Sequence, residues 1–485
     1  MMTKSEKMAE WILSISYEKI PQNVIQIAKQ QLLGMLGACF AGSTTIGGKI
    51  LLETIKGYES KPDASILPSG VKTSVLNALY TNAAFSMALD YDDYLCTVHT
   101  GTSSYSIPLA LGEKLDISGK EYLTCLIIGN EIEGRVGLAV YPPGEGQMQS
   151  FIHAAGGAAI AGKLLGLSKE ELINAFGIAL YQAPLTIPVG FWGPHSKLLT
   201  SSIPAKIGVE AAYLAKNGFS GARTIFEDPQ GFCKYMSEAN FEKVLDSDLG
   251  KAWVTLSLSF KRYPGCAYVD SIADALFKIL EKVEKEGKTL DYHEIESIKV
   301  SNSLLSTMMD DMSRPFTHIE EIKRVKSPIA LNFYQPYNIA IILIDKKLTP
   351  EQFTMERITD PEVHELAKKV EIAPDIGMSA KSAQIVPYGD IPKPDFHLGK
   401  WDFSKWKMYC GCKIIIKMKT GEKWSAKVDI PMGAAGGKPY PMEKKFSQEA
   451  KLVGMEDSQI EEAIQMINNL EDYAIRELIK LLVVN

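Results

Sequence analysis

Cysteine is scarce in this chain. Seven occur in 485 residues, at Cys39, Cys96, Cys125, Cys233, Cys266, Cys410 and Cys412. The count is odd, and no two close pairs have the spacing of a zinc ribbon. Only Cys410 and Cys412 lie close together, in a stretch that reads as strand. A disulfide scaffold is excluded, and all seven are expected as reduced thiols of a cytoplasmic protein. Positive charge is not in excess either. Lys and Arg number 52 against 58 Asp and Glu, for a net charge of −6. That balance argues against a nucleic-acid partner, since such binders carry a basic patch or tail. No uninterrupted run of about 18 apolar residues is present, so no membrane span is expected. Met1 to Lys7 lead into an amphipathic stretch and not the apolar centre of a signal peptide. There is no G-x-S-x-G elbow, no phosphate-binding G-x-x-x-x-G-K-[ST] and no H-E-x-x-H. Gly156-Gly157 does not fit G-x-G-x-x-G. Internal repeats and low-complexity segments are lacking.

What is present is an ordinary globular composition, 46% apolar and 23% charged. The length corresponds to two to four domains, or to one large domain carrying an insertion. Up to about residue 260 the pattern is mainly helical. Pro21 opens a helix that carries Gly34, Gly37, Ala38 and Ala41, small residues that let neighbouring helices approach closely. Ser118 to Glu121 and Ser168 to Glu171 are capping boxes. His153 to Gly162 is a small-residue run suited to a helix packed on all sides. Ile207 to Lys216 is helical and stops at Asn217-Gly218. From about 266 the texture changes. Ile298 and Val300 alternate with polar residues, and Cys412 to Ile430 is a hairpin turned by Thr420-Gly421. Helices return at the end, one capped by Ser458 to Glu461. The expected architecture is mainly α: a large all-helical domain (1–265, rejoined by 436–485) with an inserted, smaller α+β lid domain (266–435).

Several segments could carry chemistry. Asp90, Asp92 and Asp93 follow an apolar helix, with His99 close behind. Carboxylates at a helix C-terminus meet the negative end of the helix dipole, so something must offset them: cations, a metal, or a catalytic need. A solvated acidic turn is the plain alternative. A metal would need a second carboxylate set on a facing helix, and Asp310-Asp311 fall in the mixed region. Lys197 and His195 lie in a Gly- and aromatic-rich loop before a helix. The plain reading there is a surface lysine beside a packing loop. Lys261-Arg262-Tyr263 and Cys266 sit at the expected boundary, a common place for a ligand cleft or simply a basic hinge. Tyr337 precedes an apolar run and reads either as proton donor or as packing.

Taken in order, these segments resemble the MmgE/PrpD family of 2-methylcitrate dehydratases, cis-aconitate decarboxylases and iminodisuccinate epimerases. Ala88 to Asp93 with His99 resembles its L-D-[FY]-D-D…H segment. Ala158 to Leu167 resembles its alanine-rich run, and Lys197 stands where the family keeps a lysine. Lys261 to Cys266 resembles K-x-Y-P-x-C, Phe333 to Tyr337 resembles F-S-x-x-Y, and Glu356 to Val363 resembles D-x-[YF]-T-D-P-E-V. The resemblance implies a helical domain with an α+β lid, a homodimer, and action on small di- or tricarboxylates without metal or organic cofactor. It implies Asp90, His99, Lys197, Lys261 and Tyr337 as the catalytic set, with Tyr94 and Cys266 lining the pocket. The lysines would stabilise a carboxylate whose neighbouring carbon loses a proton. His99 would be base or acid, Asp90 would orient His99 or hold a proton itself, and Tyr337 would protonate a leaving hydroxyl or carbanion. Gln147 stands where the family has a second histidine, and Asp270 where many members have another. His195 is a candidate replacement proton carrier. The first expectation is a dehydratase-type lyase. Decarboxylase, epimerase or racemase, and an inactive ligand-binding homologue are the alternatives.

Overall fold

The structure is a computed structural model that describes residues 2–141, 146–237, 239–382 and 402–484. Residues 383–401 of the expected α+β segment therefore lie outside the described residues. The architecture is mainly α with small sheets.

The helix Gln22–Ser43 runs through the larger core, with Pro21 at its N-cap. It is long and apolar enough to cross a membrane, but most of it is buried inside the protein. Its small residues act as the sequence suggests. A Cβ on Gly37 would already stand 3.4 Å from Lys445 Cγ and 3.5 Å from Phe446 Cα, so the helix Met442–Leu452 packs directly on it. The chain thus returns at its C-terminal end to the helices of its beginning. Helices Gly119–Ala139 and Lys169–Leu180 start at the two expected capping boxes, Ser118/Glu121 and Ser168/Glu171. The helix Phe151–Leu164 is buried almost throughout. Against it lies Leu199–Lys216, which begins earlier than the apolar pattern indicated and holds Pro204 inside it. The C-terminal capping box is not used as expected. Acidic Glu456-Asp457 moves the start of the helix Asp457–Asn468 ahead of Ser458.

A four-stranded sheet organises the α+β part. Its order is Lys423–Val428, Cys412–Met418, Ile295–Asn302, Val370–Pro374; the first two pairings are antiparallel and the last is parallel. In the hairpin Cys412, Ile414, Ile416, Met418, Trp424, Ala426 and Val428 are buried, while Lys413, Ser425 and Lys427 face water, as period two dictates. The helices Ala267–Lys285 and Gln335–Asp345 complete the smaller core. That core also takes in Leu89, Tyr91, Phe191, Trp192 and Leu198 from the helical part. The segments singled out for chemistry therefore stand where the two cores meet.

Candidate active site

Asp90 is the centre of the arrangement. The helix Val75–Met87 ends just before it, and Asp90 itself adopts a left-handed backbone, φ 52°. Aspartate tolerates this conformation better than most residues with a side chain. The turn faces the carboxylate inward, where it meets two ammonium groups. Lys197 Nζ lies 2.8 Å from Oδ1 and Lys261 Nζ 2.9 Å from Oδ2. Lys261 also donates to the Asp90 carbonyl at 2.6 Å and stands 3.6 Å from Asp92 Oδ1. All four side chains are essentially closed to water. The Lys197 ammonium additionally sits 5.1 Å from the Phe191 ring centre and 5.6 Å from that of Phe333, as cations do over aromatic faces.

The electrostatics follow from this packing. Burial alone would raise the Asp90 pKa, but Lys197 and Lys261, then His99, hold it well below the usual carboxylate range. Burial works likewise against the Lys261 ammonium, and the charges of Asp90 and Asp92 more than offset it. Asp92 is lowered in the same way by Lys261 and His99. Asp93 has no such cation in contact among the described residues. Burial, then the charge of Asp92, pushes its pKa up to about 7. Its Oδ1 accepts from Gly101 N–H at 3.1 Å, at the start of the helix Gly101–Leu115.

His99 is oriented by Asp92 and not, as expected, by Asp90. The Asp92 Oδ2 to His99 Nδ1 distance is 2.8 Å, and Asp90 is fully occupied between the lysines. An Asp92 carboxylate accepting from Nδ1–H leaves Nε2 as the working nitrogen. Gln147 donates to the other Asp92 oxygen at 2.8 Å and stands 3.3 Å from His99 Nδ1. It thus supports Asp92, and its own Oε1 has no partner among the described residues. Tyr94 packs its ring 5.8 Å from that of His99. Cys266 is buried beside Asp90 and Lys261; burial, then the charge of Asp90, pushes its thiol up.

Two expected members lie elsewhere. Tyr337 is fully buried, but its hydroxyl donates to the Gln352 carbonyl, and its ring packs near Phe353 and His364. The register of its helix packs it among the residues of the smaller core, with its proton held on Gln352 in this structure. His195 is half-buried against Gly47: a Cβ there would meet His195 Cδ2 at 2.8 Å. It is not part of the Asp90 cluster. His153, six residues after Gln147, joins Ser103 at 2.7 Å and Glu133 at 3.1 Å. Burial lowers His153 to about 3 and raises Glu133. The residue the sequence reading left out of the site is Asp92. Its seven-residue spacing from His99, within the acidic run, was the available signal.

Among the described residues no group of three or more His, Cys, Asp or Glu is arranged to hold a metal ion. The Asp90 oxygens are already taken by ammonium groups. Several buried polar atoms nearby have no partner among the described residues, including Asn332 Oδ1 and Nδ2, Trp192 Nε1 and Thr200 Oγ1. Such atoms are costly to bury and are available to a polar ligand.

Residues 6–243 match the MmgE/PrpD N-terminal domain and residues 263–387 the MmgE/PrpD C-terminal domain. The chain belongs to the MmgE/PrpD family. Among curated relatives, human cis-aconitate decarboxylase is 27% identical, over 97% of this chain and 93% of its own. Cis-aconitate decarboxylase of Aspergillus terreus is 25% identical over 75% of this chain and 77% of its own. That of the mouse is 25% identical over 77% and 76%. This MmgE/PrpD member brings both lysines, Asp90 and Asp92 together in a buried cluster beside a partly exposed His99, and it carries glutamine where the resemblance places a second histidine.

Proposed function

We propose that this lyase decarboxylates a small tricarboxylate related to cis-aconitate, without metal or organic cofactor. The observation that carries the reading is the convergence of Lys197 and Lys261 on Asp90, beside a His99 oriented by Asp92. Charge that develops on a substrate carboxylate meets two fixed ammonium groups in a water-poor site, where oriented contacts count most. The C–C bond to the departing carboxylate breaks, CO2 leaves, and the electron pair stays on the substrate. His99, protonated on both ring nitrogens for this step, then gives its Nε2 proton to that carbon, keeps its Nδ1 proton on Asp92, and takes a new Nε2 proton from solvent before the next turnover. Dehydration would need an acid at a leaving hydroxyl. The residue expected to supply it, Tyr337, spends its proton on Gln352, which favours CO2 loss over water loss.

We place the enzyme in the cytoplasm as a homodimer, acting on a small carboxylate and on neither nucleic acid nor membrane. Its seven unbridged cysteines support the compartment. Exposed Tyr181, Ile187 and Val189, at 74%, 67% and 68%, support pairing, because apolar groups gathered on a surface mark contacts between proteins. The inserted α+β part acts as a lid over the helical part, with boundaries near 266 and 435.

The test is incubation of the protein with cis-aconitate followed by proton NMR. Appearance of a five-carbon unsaturated dicarboxylate with CO2 is the expected result. A six-carbon hydroxy acid would establish a hydro-lyase instead. Absence of turnover across a panel of di- and tricarboxylates that nevertheless bind would establish a ligand-binding homologue.

A further inference from the structure

Lys445 has no part in the mechanism above, yet it is buried directly beneath it. It projects from the helix Met442–Leu452, beyond the 263–387 segment matched to the C-terminal family domain. Its Nζ donates to the Tyr91 carbonyl at 2.7 Å and to the Lys261 carbonyl at 3.2 Å, and lies 3.6 Å from the Tyr91 ring centre. Tyr91 stands between Asp90 and Asp92. One ammonium therefore ties the loop that carries both aspartates to the segment that carries Lys261. Tyr91 is fixed at its far end as well: its hydroxyl donates to the Arg262 carbonyl at 2.9 Å and reaches Glu449 Oε1 at 3.3 Å. A buried ammonium is expensive, and a methionine would fill the same space without that cost. The feature gained is the pair of charge-assisted bonds to two backbone carbonyls.

We propose that Lys445 is a positioning residue that sets the Asp90–Asp92 loop against the Lys261 segment. The inference rests on the reading of Asp90, Asp92 and Lys261 as the active centre. Lys445 touches no reacting atom; it acts through the backbone of residues that do. The titratable groups facing it are Glu449 on its own helix, Tyr91 and Asp93 on the loop, Lys261 on the adjoining segment and Asp270 on the helix Ala267–Lys285, while the helix Gln22–Ser43 meets it at Gly37. Burial lowers Lys445 to about 7. The carboxyls of Asp93, Asp270 and Glu449 are each pushed up by burial to about 7. Loss of the Lys445 proton weakens both carbonyl bonds, so activity falls on the alkaline side.

The experiment measures kcat and KM of the full-length wild type and Lys445→Met from pH 5.5 to 9, on the acid the wild type turns over. In the variant kcat falls at least tenfold, KM stays within threefold, and the alkaline limb disappears. A folded Lys445→Met with the wild-type kcat and the wild-type pH profile overturns the proposal. Glu449→Gln keeps the ammonium and removes the carboxylate that most offsets its burial, which moves the alkaline limb to lower pH and leaves kcat at pH 6 unchanged. Should Lys445→Met not fold, an unmoved limb in Glu449→Gln overturns the proposal. If the wild type turns over no acid, the functional reading fails by itself. The proposal is then decided by crystal structures: a Lys261–Asp90 contact still at hydrogen-bond length in Lys445→Met, or, should that variant not fold, in Glu449→Gln crystals at pH 9, overturns it.

Discussion

Asp90 is the residue on which the buried charges balance. Together with Asp92 it offsets two ammonium groups that would otherwise repel each other in a medium of low dielectric. Asp90→Asn keeps the shape and the tolerance of a left-handed backbone but removes that balance. The expected loss of stability is about 3–5 kcal/mol, the usual cost of leaving a buried charge without its partner, and chemical denaturation would measure it. The native pKa of Asp90 is depressed, so its contribution to stability is present above the unfolded value near 4 and declines as pH falls below it. Asp270 has the opposite sign. Its carboxyl, raised to about 7 by burial, favours the fold below the unfolded value and loses that contribution as pH rises through 7. Asp270→Asn can keep the acceptor for the Arg262 N–H at 2.8 Å. It should raise stability at pH 8 by on the order of 1–3 kcal/mol, while changing it little at pH 4. A pH series of unfolding curves checks both the sign and the window. Asp92→Asn reverses the hydrogen bond to His99 and favours the wrong tautomer, and turnover should fall on the order of 10²-fold or more in steady-state assays of a folded variant.

At the scale of elements, close helix contacts fix where the lysine arrives. A Cβ on Gly208 would stand 2.3 Å from the Ala154 carbonyl oxygen and 2.8 Å from Gly157 Cα. Gly208→Ala must therefore push Leu199–Lys216 away from Phe151–Leu164. The expected cost is about 2–3 kcal/mol, with a fall in activity, because Lys197 lies just ahead of the moved helix. Thermal unfolding and an activity assay on the same sample check it. Elements with strong local signals were legible in the sequence: the two capping boxes, the buried small-residue helix and the period-two hairpin. The parallel pairing of Ile295–Asn302 with Val370–Pro374 was not, because it joins segments far apart in the chain. The direction of a side chain at an element's end was equally hidden. A left-handed turn at Asp90 sends Asp90 to the lysines and leaves Asp92 for His99. The register of Gln335–Asp345 takes Tyr337 away from them.

For the whole molecule, the site exists because two cores meet. The helical part supplies Asp90, Asp92, His99 and Lys197. Lys261 stands at the seam, and Phe333 reaches across from the α+β part. The ordered spacing of these residues was readable along the chain, whereas their convergence depends on packing over more than a hundred residues. The clustering of Lys197 and Lys261 on one carboxylate also explains how so closed a site stays charged: each ammonium has an anion within 3 Å. The account's central claim is that this cluster, through His99, moves a proton at a carbon beside a carboxylate. Its most direct test is kcat/KM of a folded His99→Gln variant on the acid that the wild type turns over. The account predicts a fall of about 10²–10⁴-fold, with the melting temperature nearly unchanged. Turnover at the wild-type rate would contradict it.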